Sequence, residues 1–352
     1  MNLGAYVIRR ALLVVAVVLG SITVTFFLSH LVPSNPAILF AGQQATPQQV
    51  QEWNQRLGLD KPLYLQFVIY VENIFTGNFG NSFQEFAQEP VLQLIGESLP
   101  NTLTLAAIST VLAAVIGIPL GVEAAKRRGR RLDSLLRIFS VSFVAIPQFW
   151  LALLLQLAFN VDLHLLPLSS YGGTLLFTQL HPIKTVTGSF LVDSLLTGNL
   201  PAFGMIAWSM VLPVMALAAY PIGVVMRQTR SAMLGVLSEN YIRTARAYGV
   251  SERELNYRYA LRNALPPVIV ILALVFAGSI IGVVFVEDVF ALQPGLGQLI
   301  AQSTGTGITS SAIGTVDYPV VLGLTIIVTI IYSLSNFAAD MLHIYFDRRL
   351  IR

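Results

Sequence analysis

Residues 238–267 read Ser238-Glu-Asn-Tyr-Ile-Arg-Thr-Ala-Arg-Ala-Tyr-Gly249 and then Val250-Ser-Glu-Arg-Glu-Leu-Asn-Tyr-Arg-Tyr-Ala-Leu-Arg-Asn-Ala-Leu-Pro266-Pro267. This polar, arginine-rich segment sits between two long apolar stretches. Ser238 can cap a short helix, and Glu239 is well placed near the positive end of its dipole. Tyr241, Ala245 and Tyr248 fall at i, i+4 and i+7 and share one face. Arg243 and Arg246 point elsewhere. Gly249 supplies a left-handed stop. Ser251-x-x-Glu254 has the spacing of a capping box and starts a second helix. That helix is expected to run to about Ala264, with Pro266-Pro267 opening the next apolar stretch. Taken alone, the pattern fits an ordinary helical hairpin as well as a handle gripped by another protein.

The surroundings are apolar throughout. Of 352 residues, 55% are hydrophobic and 11% charged, with mean hydropathy +0.71. Soluble domains carry about 25% charged residues, so this is an integral membrane protein. Six stretches can each cross about 30 Å of hydrocarbon, namely residues 11–31, 101–122, 138–160, 201–226, 265–286 and 320–339. None of them contains Asp, Glu, Lys or Arg. A single such charge at mid-span costs about 2.5–3.5 kcal/mol on the insertion scale. The start resembles a signal peptide, but its apolar run is too long for one and is expected to stay as the first span.

Sidedness follows from the cations. Of 21 Lys and Arg, 18 lie in residues 9–10, 126–137, 227–262 and 348–352. The opposite segments hold only Arg56, Lys61 and Lys184. Positive residues stay in the cytoplasm. Both termini and the 238–267 segment are therefore expected on the cytoplasmic side, with Lys126-Arg-Arg-Gly-Arg-Arg131 deciding the matter. The net charge of +3 thus follows from topology and does not point to nucleic acid.

Other features fill in the frame. Ala113-x3-Gly117-x3-Gly121 and Gly278-x3-Gly282 are stripes that let helices approach, either inside the chain or against a partner. Pro213 and Pro221 are expected to kink the fourth span. Thr46-Pro47 reads as a helix start and Gly58 as a stop. Leu63, Phe67, Tyr70, Val71 and Ile74 form a face that packs on the bundle or lies on the bilayer. Gln293-Pro-Gly-Leu-Gly-Gln298 reads as a turn before a short apolar helix, and Asp340 as a residue reaching the membrane interface.

Much chemistry is missing. There is no cysteine and no G-x4-G-K-[ST] phosphate loop, so ATP hydrolysis by the usual route is excluded. His30, His164, His181 and His343 are scattered without metal-site spacing. No G-x-S-x-G elbow is present. The spans carry none of the ionisable groups that proton-driven carriers keep there. These absences argue against an enzyme and against a self-powered carrier.

The 238–267 segment resembles the EAA loop of ATP-binding-cassette import permeases, in the peptide/nickel branch. The resemblance rests on Glu239, Tyr241, Thr244-Ala-Arg-Ala247, Gly249 and Arg262-Asn-Ala-Leu265. It extends to Arg56-Leu-Gly-Leu-Asp-Lys-Pro62, Gly77-Asn-Phe-Gly-Asn-Ser82, Ile118-Pro-Leu-Gly121, Ile146-Pro-Gln-Phe-Trp150, Pro294-Gly-Leu-Gly297, Asp317-Tyr-Pro-Val-Val321 and Phe346-Asp-Arg-Arg349. The long first outer segment is similar to that of the first of two permease subunits. Residues 174–199 and 303–316 look longer than usual, and residues 290–294 carry an extra residue before the turn.

The resemblance implies an all-α type I importer permease with six transmembrane helices and both termini inside. Residues 1–100 would hold the first helix and a long extracytoplasmic segment, and residues 101–352 a five-helix core with a coupling helix. It implies a second similar permease, two cytoplasmic ATPase subunits and an extracytoplasmic solute-binding protein. No cofactor is expected in this chain, since ATP and Mg would be bound by the ATPase subunits. The contact with an ATPase would use Glu239, Tyr241, Thr244, Ala245, Arg246, Tyr248, Gly249 and Glu252. Di- and oligopeptides are the expected solutes, with oligosaccharides, nickel or glutathione as alternatives. A self-contained channel or secondary carrier is the alternative of another class.

Overall fold

A computed structural model describes residues 3–31, 37, 46–56, 58–82, 89–167, 182–305 and 316–346. His181, the tail after Phe346, and the parts of the two long outer stretches at residues 174–181 and 306–315 lie outside the described residues.

The described chain is helical. The first helix, α1, spans Leu3–Leu31. Two short helices follow, α2 over Pro47–Arg56 and α3 over Leu63–Phe75. A long α4 covers Val91–Lys126, and α5 covers Arg131–Ala145. Next come α6 over Gln148–Asp162, α7 over Phe190–Leu196 and α8 over Leu200–Ser209. Then follow α9 over Val211–Leu237, α10 over Asn240–Ala247 and α11 over Glu252–Val289. The last two are α12 over Leu296–Thr304 and α13 over Tyr318–Phe346. Helices α1, α4, α9, α11 and α13 are long and apolar enough to cross a membrane, and α5 with α6 would make a sixth crossing.

The centre of the bundle is α9. Ala216, Leu217, Ala218 and Ala219 are all buried in sequence, and a helix covered on every side belongs in the interior. Its closest neighbour is α4. A Cβ on Gly121 would stand 2.6 Å from the Thr229 Cβ and 2.7 Å from the Met226 carbonyl oxygen. Ala113 packs with Ala218, Ile222, Val225 and Val268. The first small-residue stripe is therefore an internal seam. Gly282 of the second stripe touches Gln148 and Leu217, whereas nothing lies near Gly278.

Four expectations need correction. The third stretch is two helices meeting at a 99° bend. Pro147 removes an N–H and holds Ile146 in extended backbone. Even so, the pair follows α9 antiparallel. Asp133 meets Arg230, the Ser140 Oγ donates to the Gly223 carbonyl at 2.8 Å, and the Gln148 Nε2 donates to the Leu217 carbonyl at 3.1 Å. Those α9 partners span about 20 Å at about 1.5 Å per residue.

The fourth stretch is interrupted at Met210. Pro213 cannot donate to the Ser209 carbonyl, so α8 stops and proline takes the first turn of α9. The helix after Gly249 does not end at Ala264. It continues through Pro266-Pro267 to Val289, with Ala264 and Val268 buried on either side of the prolines.

Ser238 does not cap the handle helix. It closes α9 with helical dihedrals, and its hydroxyl turns back to the Gly235 carbonyl at 2.6 Å. Glu239, in extended backbone, holds the N-cap position without a side-chain bond.

Local readings at Thr46, Gly58 and the α3 face agree with the structure. The Thr46 N–H donates to the Gln49 side chain at 2.8 Å, and its hydroxyl accepts from the Gln49 N–H at 3.4 Å. Gly58 sits at φ +68. Phe67 and Tyr70 of α3 pack on Phe26 of α1, while Leu63 stays exposed. Asp340 pairs with Arg10 of α1 at 3.1 Å.

Candidate functional site

The handle folds by local rules. Asn240–Ala247 is helical, and Tyr248 closes it. Gly249 follows at φ +80. Its N–H donates to the Arg246 carbonyl at 3.0 Å, and the Val250 N–H donates to the Ala245 carbonyl at 3.2 Å. This pair of bonds is a Schellman turn, which needs a left-handed residue that glycine adopts at least cost. The Ser251 hydroxyl then accepts the Glu254 N–H at 3.3 Å and starts α11. The Arg246 Nε donates to a Glu252 carboxylate oxygen at 2.8 Å, bridging the turn from outside.

Long-range packing fixes the handle to the bundle. Ile242 is fully buried with Val122 and Ala125 of α4, Met233 of α9, and Leu255, Ala260 and Ala264 of α11. Burying one isoleucine side chain is worth about 1.5–3 kcal/mol. The short helix thus plugs into a buried cluster to which three of the long apolar helices contribute at one end of the bundle. The Asn263 Nδ2 adds a bond to the Tyr241 hydroxyl at 2.8 Å.

Each expected contact residue can now be placed. Glu239, Thr244, Arg246, Gly249 and Glu252 are exposed. The Thr244 hydroxyl donates to the Asn240 carbonyl. Ala245 is half-buried. Tyr241 and Tyr248 are 42% and 85% exposed. The Tyr241/Ala245/Tyr248 face therefore points away from the bundle, and Ile242, one step round the helix, points into it. The sequence reading did not single out Ile242. Its available signal was that it is the one aliphatic residue longer than alanine between Glu239 and Gly249.

At the opposite end of the bundle three buried carboxylates organise the loops. Glu287 accepts from the Thr102 hydroxyl and the Gly297 N–H, both at 2.7 Å. Asp317 accepts from the Ser82 hydroxyl and stands at the start of α13. Asp193 accepts from the backbone N–H groups of Val186, Thr187 and Gly188 and from the Thr187 hydroxyl. Burial pushes its carboxyl up, but these donors more than offset that and leave it below the usual carboxylate range. No spacing in the sequence announced these partners, which lie as far as 235 residues apart.

Comparison with known proteins covers almost the whole chain. Residues 117–352 match the family described as binding-protein-dependent transport system inner membrane component. Residues 3–106 match the N-terminal part of the corresponding membrane components. A probable D,D-dipeptide transport system permease protein of Escherichia coli (strain K12) is 41% identical over 338 residues, covering 96% of this chain and 95% of the relative. A dipeptide transport system permease protein of Alkalihalophilus pseudofirmus is 33% identical, covering 98% and 99%. An oligopeptide transport system permease protein of Bacillus subtilis (strain 168) is 34% identical, covering 99% of each. The chain belongs to the family of binding-protein-dependent transport system inner membrane components, and is a multi-pass permease subunit of a prokaryotic inner membrane.

Proposed function

We propose that this chain is a permease subunit of an ATP-driven importer of di- and oligopeptides, with α10 as the element that an ATPase subunit moves. The observation that carries the reading is the handle's construction. Its outer face exposes Tyr241 and Tyr248, while Ile242 seats its inner face in a buried cluster shared by residues of α4, α9 and α11. A push on α10 therefore reaches three membrane helices together. The peptide assignment draws on what the relatives are called.

The full assembly contains a second permease of the same kind, two ATPase subunits and an extracytoplasmic binding protein. ATP and Mg belong to the ATPase subunits. The chain crosses the membrane six times, α5 and α6 together forming the third crossing, and α10 faces the cytoplasm. Residues 1–100 precede a core of residues 101–352. Glu239, Thr244, Arg246 and Glu252 frame the exposed tyrosines and orient the docked subunit. Gly249 sets the angle at which α11 departs.

Cross-linking tests the coupling role. Tyr248→Cys, placed in the reconstituted importer, is expected to cross-link to an ATPase subunit, with a yield that changes between ATP-bound and nucleotide-free states. Equal yields, or cross-links only to other membrane subunits, would overturn the role of α10. Uptake of labelled dipeptide against oligosaccharide, nickel and glutathione tests the solute. Flux from this chain alone in liposomes without ATP would favour a channel or carrier.

A further inference from the structure

A cavity of about 210 Å³ opens between α5 and α9, at the end of the bundle that holds the handle. Leu136, Val141 and Met226 give it apolar walls, and Arg137, Arg227 and Arg230 line it. One carboxylate answers them. Asp133, itself buried, takes Arg230 through two bonds of 2.7 and 3.0 Å. Arg137 stands 3.8 Å from the same carboxylate. Among the described residues Arg227 has no acidic partner, so the recess carries an excess of two positive charges.

Its depth is set by α9. Arg227 and Arg230 lie about 24 and 28 Å along the axis from Val211, at about 1.5 Å per residue. The hydrocarbon layer is about 30 Å thick. Arg227 also directly follows the charge-free stretch of residues 201–226, where the apolar span gives way to cations at the level of the headgroups. Beside the recess α5 exposes Leu135, Ile138 and Phe139, an apolar strip running towards the membrane centre.

We propose that this recess binds the headgroup of an anionic phospholipid of the inner leaflet. Arg137 and Arg227 hold the phosphate by charge-assisted hydrogen bonds. Arg230, braced by Asp133, keeps the recess open, and the acyl chains lie along α5. The proposal rests on the cytoplasmic placement of this end given above. Free phosphate shares the charge but has nothing to place on the apolar strip.

The test uses the whole importer complex. Lipid retained after delipidation is counted by native mass spectrometry, with dioleoylphosphatidylglycerol compared to dioleoylphosphatidylcholine. The wild-type complex is expected to retain the anionic lipid at least about fivefold better. Arg137→Gln with Arg227→Gln should abolish that preference, and Arg137→Lys with Arg227→Lys should keep most of it. Both variants leave the Arg230–Asp133 pair intact, and an unchanged basal ATPase rate verifies that they assemble. Equal retention of the two lipids, an unaffected Gln variant, or displacement by inorganic phosphate would overturn the proposal. So would cross-linking of Arg227→Cys to the second permease subunit. A complex that imports peptide yet shows no lipid preference refutes this inference alone. One that prefers the anionic lipid but imports no peptide refutes only the solute assignment.

Discussion

Replacing Gly249 by valine isolates the turn from every other contact. The glycine sits at φ +80, and no atom lies within 4 Å of where a Cβ would be. The cost is therefore backbone strain and not a clash. A left-handed conformation costs an L-residue about 1–2 kcal/mol, and a β-branched one lies at or above the top of that range. The chain could instead abandon the turn. It would then lose the bonds to the Arg246 and Ala245 carbonyls, each worth about 0.5–1.5 kcal/mol net. Either route costs about 1–3 kcal/mol, and at about 1.4 kcal/mol per tenfold the turn is weakened by about one to two orders of magnitude. Ile242 would still hold α10 on the bundle, so insertion and assembly should persist. In reconstituted complexes, solute-stimulated ATPase activity and uptake are expected to fall together by about tenfold or more. Gly249→Asn should lose much less, because asparagine tolerates the left-handed region. Unchanged coupling in Gly249→Val, or an asparagine variant as impaired as valine, refutes the reasoning.

Three further outcomes follow from packing and charge. Ile242→Ala should leave an unfilled site under α10 and cost about 2–5 kcal/mol, and co-purification of the ATPase subunits should drop sharply while the chain still enters the membrane. Gly121→Val places new atoms against Thr229 and the Met226 carbonyl. The α4–α9 seam should lose at least about 1–3 kcal/mol, read as a lower unfolding temperature in detergent. Asp193 carries a lowered folded pKa, so its stabilisation is complete above the ordinary carboxylate range and is lost progressively as pH falls from that range through the lowered value. Thermal unfolding between about pH 3 and 7 should show that loss at the acid end, and Asp193→Asn should remove it while costing about 1–3 kcal/mol at neutral pH; an unchanged profile would show that the cluster contributes nothing.

The parts of the site that were legible in advance are those held by neighbours in sequence. The helix over residues 240–247, the stop at Gly249 and the restart at Ser251 all rest on bonds between residues at most five apart. The exposed tyrosine face followed from helical periodicity. Periodicity could not say which face would be covered, and Ile242 was passed over because its partners lie on α4, α9 and α11. The bend at Pro147 was hidden by hydropathy, and the break at Met210 was expected only as a kink at Pro213. An apolar run reads alike whether or not proline interrupts its hydrogen bonds, and a proline can kink, start or end a helix according to what packs around it.

Composition and local capping were sufficient for a helical membrane chain with a folded polar handle, because insertion energy and turn chemistry belong to each segment separately. The partners were not. Gly121 seats itself against Thr229, Asp133 holds Arg230, and Glu287 gathers Thr102 and Gly297 only once distant helices are side by side. A buried carboxylate is tolerable only with its donors in place, and those donors exist as a set only in the packed bundle. The same packing anchors the handle, since Ile242 is buried only where residues of α4, α9 and α11 converge.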